Sequence, residues 1–386
     1  MKKEAPSLFL VTLWSLLGLH IALLYFTLDS FSGLLNAQGH PLGADFITYW
    51  AASHLTHLGS PADAYDAVKL LTAEKVVAPV NMPHTGWYYP PQFLLMVFPL
   101  AYMNYVYAYA AFSLLGFLLY LGTFTKLTRG NDLLILAIAF PALFLNITSG
   151  QNGLITVSIA ALSLYYLEKR PALAGALMGL LCIKPQLLLL FPLMLLWSQN
   201  WRALQAFFIS SLSFAGLATV VLGTEIWSAF LNGLTLAKTY LETDIPLARM
   251  PTVFALVRQA DGSLGWAYGL HTLIAALALV TLLATWRLSQ QAGIRGIALI
   301  ATTLLISPYL FDYDLVWQIL PMIWLYQQGQ QTGWLIGERL ILTVTWSLLL
   351  YVELGLYLLT GQVVLIGAII NLALLWTAYR RARKSL

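Results

Sequence analysis

The chain has 386 residues, of which 60% are apolar and only 9% carry a formal charge, and its mean hydropathy is +0.77. Soluble domains run near a quarter charged, so the composition excludes a water-soluble globule and predicts an all-α polytopic membrane protein. The net charge of +4 reports topology rather than nucleic-acid binding, because the basic residues are spread along the connections between apolar runs.

The first run, Ser7 to Leu28, has no charged residue and is long enough to cross a hydrocarbon core. Lys2 and Lys3 precede it, but it is long for a signal h-region and no small-x-small site ends it. It reads as a retained signal anchor. Further runs lie at about 104–125, 132–148, 152–167, 171–183, 186–199, 203–222, 265–287, 294–306, 311–327, 335–357 and 361–379. With roughly 20 residues per span, they predict about 12 transmembrane helices, the shorter runs being tilted, re-entrant or merged. The alternation of a β-barrel strand is absent.

With a cytoplasmic N-terminus, 14 of the 20 Lys and Arg residues fall on cytoplasmic connections. The outer side keeps Lys69, Lys75, Lys184, Lys238, Arg249 and Arg258. This obeys the positive-inside rule and predicts a plasma (inner) membrane protein with both termini cytoplasmic. Acidic residues go the other way. Glu4, Asp132, Glu168 and Glu338 lie inside and the rest, Glu353 among them, lie at the outer side. No separate soluble domain is evident, so residues 1–386 read as a single integral membrane domain. Its polar length is concentrated in two outer loops, 29–91 and 223–262, with a short third around Ser307–Asp314. Loops carry function when a rigid scaffold presents them, so the working site is expected on that side.

Within the first loop, Phe46 to Leu58 reads as a short amphipathic helix suited to the membrane interface, ended by Gly59-Ser60-Pro61. Asp45 stands at its start and has two readings. It is an N-cap accepting backbone N–H groups, or a general base at the lip of a bilayer cavity. Lys184 lies between two apolar runs, where a lysine either snorkels or finds an anion such as a lipid phosphate. Gly150-Gln151-Asn152 is a tight turn or a pair of amides for a sugar hydroxyl. Asp312 and Asp314 are a solvated loop, or the wall of a polar cavity that meets a cation or substrate. Arg249 and Arg258 are rim residues or phosphate holders.

His54 and His57 read as an interfacial pair rather than a metal site, and Cys182 as a buried small residue. No metal-ligand spacing is present; no cofactor is assigned, and a divalent cation is possible. No Walker motif or nucleotide-binding glycine pattern appears, so a donor would have to be in the membrane already.

The ordered series Asp45-Phe46-x-x-Tyr49-Trp50-x-Ala52, Gly59-Ser60-Pro61, Tyr65-Asp66, Tyr89-Pro90-Pro91, Pro99-Leu100-Ala101, Gly150-Gln151-Asn152, Ala174-Gly175, Ile183-Lys184-Pro185-Gln186, Trp201-Arg202-Ala203 and Ser307-Pro308-Tyr309 resembles glycosyltransferase family 87. These are polyprenyl-phosphate-mannose-dependent mannosyltransferase-like proteins of the C-type glycosyltransferase superfamily. The likeness covers roughly residues 7–325. It implies an inverting enzyme that moves mannose or another hexose or pentose from a polyprenyl-phosphate donor to a lipid or glycan acceptor on the periplasmic side. Asp45 would be its base. Lys184, Arg249 and Arg258 would hold the donor phosphate. Tyr49, Tyr89, Gln151, Asn152, Gln186, Asp312 and Asp314 would contact substrate. The partners implied are the donor, the acceptor and membrane lipids, with no nucleic acid. Mannosyltransferases of this family tend to carry histidine after the Ser-Pro motif, where this chain has Phe311-Asp312-Tyr313-Asp314; mannose specificity does not transfer with the resemblance. The competing class is a transporter or flippase of lipid-linked glycans, which charges deep in many helices would favour; such charges are scarce here.

The charge count has a direct test. A cysteine placed at Ala44 should react with an impermeant maleimide added to the outside of intact cells or spheroplasts; labelling only after permeabilisation would reverse the topology.

Overall fold

A computed structural model describes residues 8–32, 34–36, 41–78, 86–128, 131–243, 247–347 and 367–384. Lys2, Lys3, Glu4, Arg129 and Glu353 lie outside these residues, as do parts of the segments 29–91 and 223–262 and of the last two apolar runs. The described elements are helices, apart from an antiparallel pair of two-residue strands, β1 (Phe31–Ser32) and β2 (Leu35–Asn36), in register Phe31 to Asn36. By contact the chain divides into two compact units: Met1–Ala139, Leu143–Pro185 and Phe191–Thr243 form the first, and Phe140–Ala142, Gln186–Leu190 and Asp244–Leu386 the second.

The helices up to the end of the first unit are α1 (Leu8–Asp29), α2 (Phe46–His57), α3 (Ala67–Glu74), α4 (Pro91–Val97), α5 (Tyr105–Leu127), α6 (Asn131–Ile138), α7 (Pro141–Ser149), α8 (Gly153–Tyr166), α9 (Pro171–Leu180), α10 (Pro185–Leu188), α11 (Leu190–Trp197), α12 (Trp201–Leu222) and α13 (Glu225–Thr243). Local chemistry sets many of their ends. Asn104 and Asn200 cap α5 and α12 by accepting Tyr107 N–H and Ala203 N–H, and Asp66 caps α3 by accepting Val68 and Lys69 N–H. The end of α2 is a Schellman turn: Gly59 takes φ +86, its N–H bonds Thr56 O, and Ser60 N–H bonds Leu55 O.

Single expected runs resolve into broken helices where proline intervenes. The run 132–148 becomes α6 and α7, because Pro141 has no N–H to continue α6. The run 171–183 becomes α9 and a 3-10 turn, Leu181–Ile183. Lys184, placed before Pro185, leaves helical geometry at φ −138, ψ 74, as a residue before proline tends to. The segment 223–262, expected as the second outer loop, is largely helical: it contains the 19-residue α13 and the short α14 (Val253–Gln259).

The second unit also holds α15 (Leu264–Leu288), α16 (Ala292–Ile306), α17 (Ile319–Thr332), α18 (Glu338–Ser347) and α19 (Gly367–Lys384). A buried ion pair ties its last helix: Arg381 Nε and Nη2 donate to Glu338 Oε1 and Oε2 at 2.6 and 2.5 Å, and Nη1 donates to Thr332 Oγ1.

Among the described residues, four segments, Tyr105–Leu127, Asp132–Ser149, Trp201–Leu222 and Leu264–Leu288, are long and apolar enough to cross a membrane, and six shorter apolar helices accompany them. Their outward faces are apolar as well. On α15, Trp266, Leu270, Leu273, Leu277 and Val280 form an exposed stripe at helical spacing, and on α12 Phe208, Leu212 and Val220 are exposed. Water would penalise such surfaces; lipid covers them. This is a membrane protein.

Inside the first unit, α9 and α12 approach at backbone distance. A Cβ on Gly175 would sit 1.9 Å from the Ala203 carbonyl oxygen, and Ser210 Oγ and Ser211 Oγ donate across to Ala176 O and Gly179 O. Small residues with hydroxyl cross-links are how membrane helices pack tightly. Gly175→Ala should therefore separate the pair at a cost of about 1–3 kcal/mol, read as a lower unfolding temperature in detergent; an unchanged temperature would refute this packing.

Candidate active site

The polar cluster of the first unit is built around α2, α8 and the loops before them. Gly43, at φ +67, turns the chain into α2 and its carbonyl accepts Phe46 N–H at 2.6 Å. Asp45 is the N-cap residue by position, but its side chain makes no cap hydrogen bond. Its Oδ2 instead accepts Gln151 Nε2–H at 3.0 Å, while its backbone N–H donates to Ser149 O at 3.0 Å. The capping reading of the sequence is thereby corrected: the carboxylate is drawn off the helix end by a partner 106 positions away.

Gln151 is keyed from both sides. Its Oε1 accepts Tyr49 Oη–H at 2.5 Å and lies 3.3 Å from Tyr89 Oη, and the two phenol oxygens are 2.8 Å apart. A flipped amide would aim its oxygen at the Asp45 carboxylate and its N–H groups at two hydroxyls, so this orientation is the one that satisfies all partners. Since the Tyr49 proton goes to Gln151, Tyr89 is the donor between the phenols. Tyr65 Oη in turn donates to the Tyr89 carbonyl at 2.8 Å, and burial raises its phenol above the ordinary value. Phe46, Tyr49, Trp87, Tyr89, Phe93 and Phe112 close around this group at ring-centroid distances between 4.5 and 6.1 Å.

The next residue along, Asn152, is fully buried and its Oδ1 accepts Lys184 Nζ at 3.1 Å. Its Nδ2 has no hydrogen-bond partner among the described residues. Lys184 is 2% exposed, so its ammonium neither snorkels nor stands at the surface. One turn thus serves both charges, Gln151 reaching Asp45 and Asn152 reaching Lys184.

The helix carrying Tyr49 is protein-covered rather than laid on a lipid surface: nine of its 12 residues are buried. It is pinned by Trp50 Nε1 donating to Met103 O and Ser53 Oγ to Phe98 O. On it, Thr48 Oγ1 donates to the buried Glu74 at 3.0 Å, a carboxylate that the sequence reading passed over. Its neighbour Lys75, a charge beside an apolar stretch, gave no signal that residue 74 turns inward.

The second unit holds Arg249, Arg258, Asp312 and Asp314, and Gln186 belongs to it by contact. Arg249 Nε and Nη2 grip Asp312 at 3.1 and 3.2 Å and its guanidinium lies over the Tyr313 ring. Arg258 Nη1 donates to Gly262 O, closing the end of its own helix. Asp314 is buried and Gln186 is half-buried on α10. Among the described residues no group of three or more His, Cys, Asp or Glu gathers as a metal would need. His54 stacks on Trp50 and His57 meets Tyr102.

The model of glycosyltransferase family 87 matches residues 87–308. The chain belongs to glycosyltransferase family 87. A sugar donor and a sugar acceptor are therefore its substrates, and the enzyme reading displaces the transporter. No curated protein and no solved structure matches the chain. Of the cluster, Tyr89, Gln151, Asn152 and Lys184 fall inside the family match, whereas Asp45 and Tyr49 precede it. The hydrogen bonds of Gln151 and Tyr89 tie the two parts of this glycosyltransferase together.

Gly150 makes the turn possible. It takes φ +66, and a Cβ there would lie 2.5 Å from Phe46 Cβ. Gly150→Ala should cost about 1–2 kcal/mol for left-handed backbone and about 1–3 kcal/mol for the overlap. It should also lower glycosyl transfer, because Gln151 and Asn152 shift off their partners. Unaltered melting and transfer would show the turn to be tolerant.

Proposed function

We propose that this family 87 member transfers a sugar, mannose or another hexose or pentose, from a polyprenyl-phosphate donor to a lipid or glycan acceptor at the periplasmic face of the inner membrane, with Asp45 as general base. The proposal includes a C-type glycosyltransferase architecture of about 12 spans, the paired short helices making up the spans beyond the long ones, and cytoplasmic termini. The observation that supports it most is the Asp45 carboxylate, turned away from its own helix end and held at Oδ2 by Gln151.

In the reaction Asp45 takes the proton of the acceptor hydroxyl as that oxygen forms a bond to the anomeric carbon. The bond from the anomeric carbon to the donor phosphate oxygen breaks, and its electron pair leaves with polyprenyl phosphate. Attack opposite the leaving group inverts the configuration. Phosphate departs without a general acid, so the remaining need is positive charge near it, preorganised as in other electrostatic sites. Lys184, in the same unit as Asp45, is the cation first assigned to that need, with Arg249 and Arg258 of the second unit kept as further phosphate-holding candidates. Lys184, sealed on Asn152, contributes its field and the placement of the turn. Tyr49, Tyr89 and Gln151 orient the base and Asn152 holds Lys184 in the first unit; Gln186, Asp312 and Asp314 are the second unit's own candidates for substrate contact.

Asp45→Asn keeps the shape and removes the base. Purified protein with radiolabelled polyprenyl-phosphate mannose and a membrane lipid extract should lose at least about 100-fold in transfer rate with donor binding retained. Full activity in this variant would remove Asp45 from the chemistry.

A further inference from the structure

Glu74 ends α3 with its side chain 3% exposed. A carboxylate so enclosed is normally paired with a cation. Among the described residues Glu74 has no ion pair; its carboxyl oxygen takes one hydrogen bond, from Thr48 Oγ1. The ionisable groups on the elements packed with α3 are engaged elsewhere or do not pair with it. On α2 these are Asp45, Tyr49, His54 and His57. In the 3-10 turn Pro61–Tyr65 and the residue after it they are Asp63, Tyr65 and Asp66; Lys69 sits on Asp63 at 2.7 Å, and Asp66 caps α3. Lys75 is exposed, and from α5 the Tyr105 hydroxyl feels both Glu74 and Asp45.

Thr48 lies three residues after Asp45, on the same face of the first turn of α2, and next to Tyr49. We propose that Glu74 is a positioning residue for the base: through Thr48 it locks the first turn of α2, and with it Asp45 and Tyr49, onto α3. The proposal rests on the reading of Asp45 as the working base. A neutral carboxyl suits the role, since it keeps an acceptor for Thr48 without a bare charge in an apolar setting. Burial lifts Glu74 from 4.5 to about 7, against the opposing pull of the Thr48 bond. The docked loop therefore holds this proton more tightly than an opened loop does. Its contribution to docking is full below about pH 4.5, falls as pH rises towards the folded value near 7, and levels off above it.

The test is hydrogen exchange of residues 45–53 in the full chain in detergent, corrected for the intrinsic rate. In the wild type, protection should fall between pH 5 and 7 by up to roughly tenfold per unit and flatten above about pH 7.5. Glu74→Gln mimics the neutral acid and should stay protected and flat across the range, whereas Glu74→Ala should lose protection throughout. Thr48→Val leaves the carboxyl without its donor, so the fall should extend to higher pH; this variant carries the test if the Glu74 substitutions fail to fold. The same pH slope in wild type and Glu74→Gln, or an unmoved window in Thr48→Val, overturns the proposal. So does transfer activity that ignores the change in protection, which would leave Glu74 a structural group only. Should Asp45→Asn remain active, the base assignment fails, while the exchange profile still decides whether Glu74 locks α2.

Discussion

A left-handed residue at position 150 is the constraint on which the first unit's polar interior depends. Gly150 lets the chain pass from α7 into α8 within van der Waals reach of Phe46. The next two side chains, both amides, then serve a carboxylate and an ammonium from one short turn. Had the turn been wider, Gln151 would not span to Asp45 while its neighbour stays on Lys184. Each amide offers a donor and an acceptor, which is what a site needs when a negative and a positive group must both be held near apolar helices.

The aromatic residues around this turn are more than filling. Tyr49, Tyr65, Tyr105 and Tyr109 each place a ring in the core and a hydroxyl on a carbonyl or an amide, and Tyr89 sets its hydroxyl against Tyr49 and Gln151. Phenylalanine at these places would keep the burial and lose the bond, leaving buried acceptors without donors. Tyr105 Oη holds Leu42 O and Tyr109 Oη holds Ile147 O, so α5 grips the approach to Asp45 from one side and the approach to Gly150 from the other. The loop that carries the candidate base is thus bound to membrane-length helix by specific bonds, consistent with chemistry that needs a fixed carboxylate.

Much of the helical layout is legible in the sequence because apolar run length and capping residues act locally. Asn104 and Lys126 frame the run that becomes α5, and Gly59 ends α2 where the turn chemistry says it must. What local reading misses is tertiary. Asp45 looks like a cap since nothing nearby announces Gln151. Lys184 looks like a snorkelling residue because its flanks are apolar, while its partner is 32 positions earlier. Glu74 gives no signal because its burial is made by α2 rather than by its own neighbours. The helix α13 was hidden for another reason: Glu225, Lys238 and Glu242 break its apolar content, and a length rule tuned to lipid passes over an amphipathic helix.

The two-sided hold on Gln151 bears on what evolution can do at that position. Glutamate would bring a second carboxylate against Asp45 and would have to carry a proton. Leucine would strand the phenols of Tyr49 and Tyr89, and asparagine is shorter by one methylene, about 1.5 Å of reach. Tyr49 and Asp45 both meet that amide, one at its oxygen and one at its nitrogen. In a relative these three positions should drift together or stay put, so their joint presence serves as a signature for finding this site in chains whose overall likeness has faded.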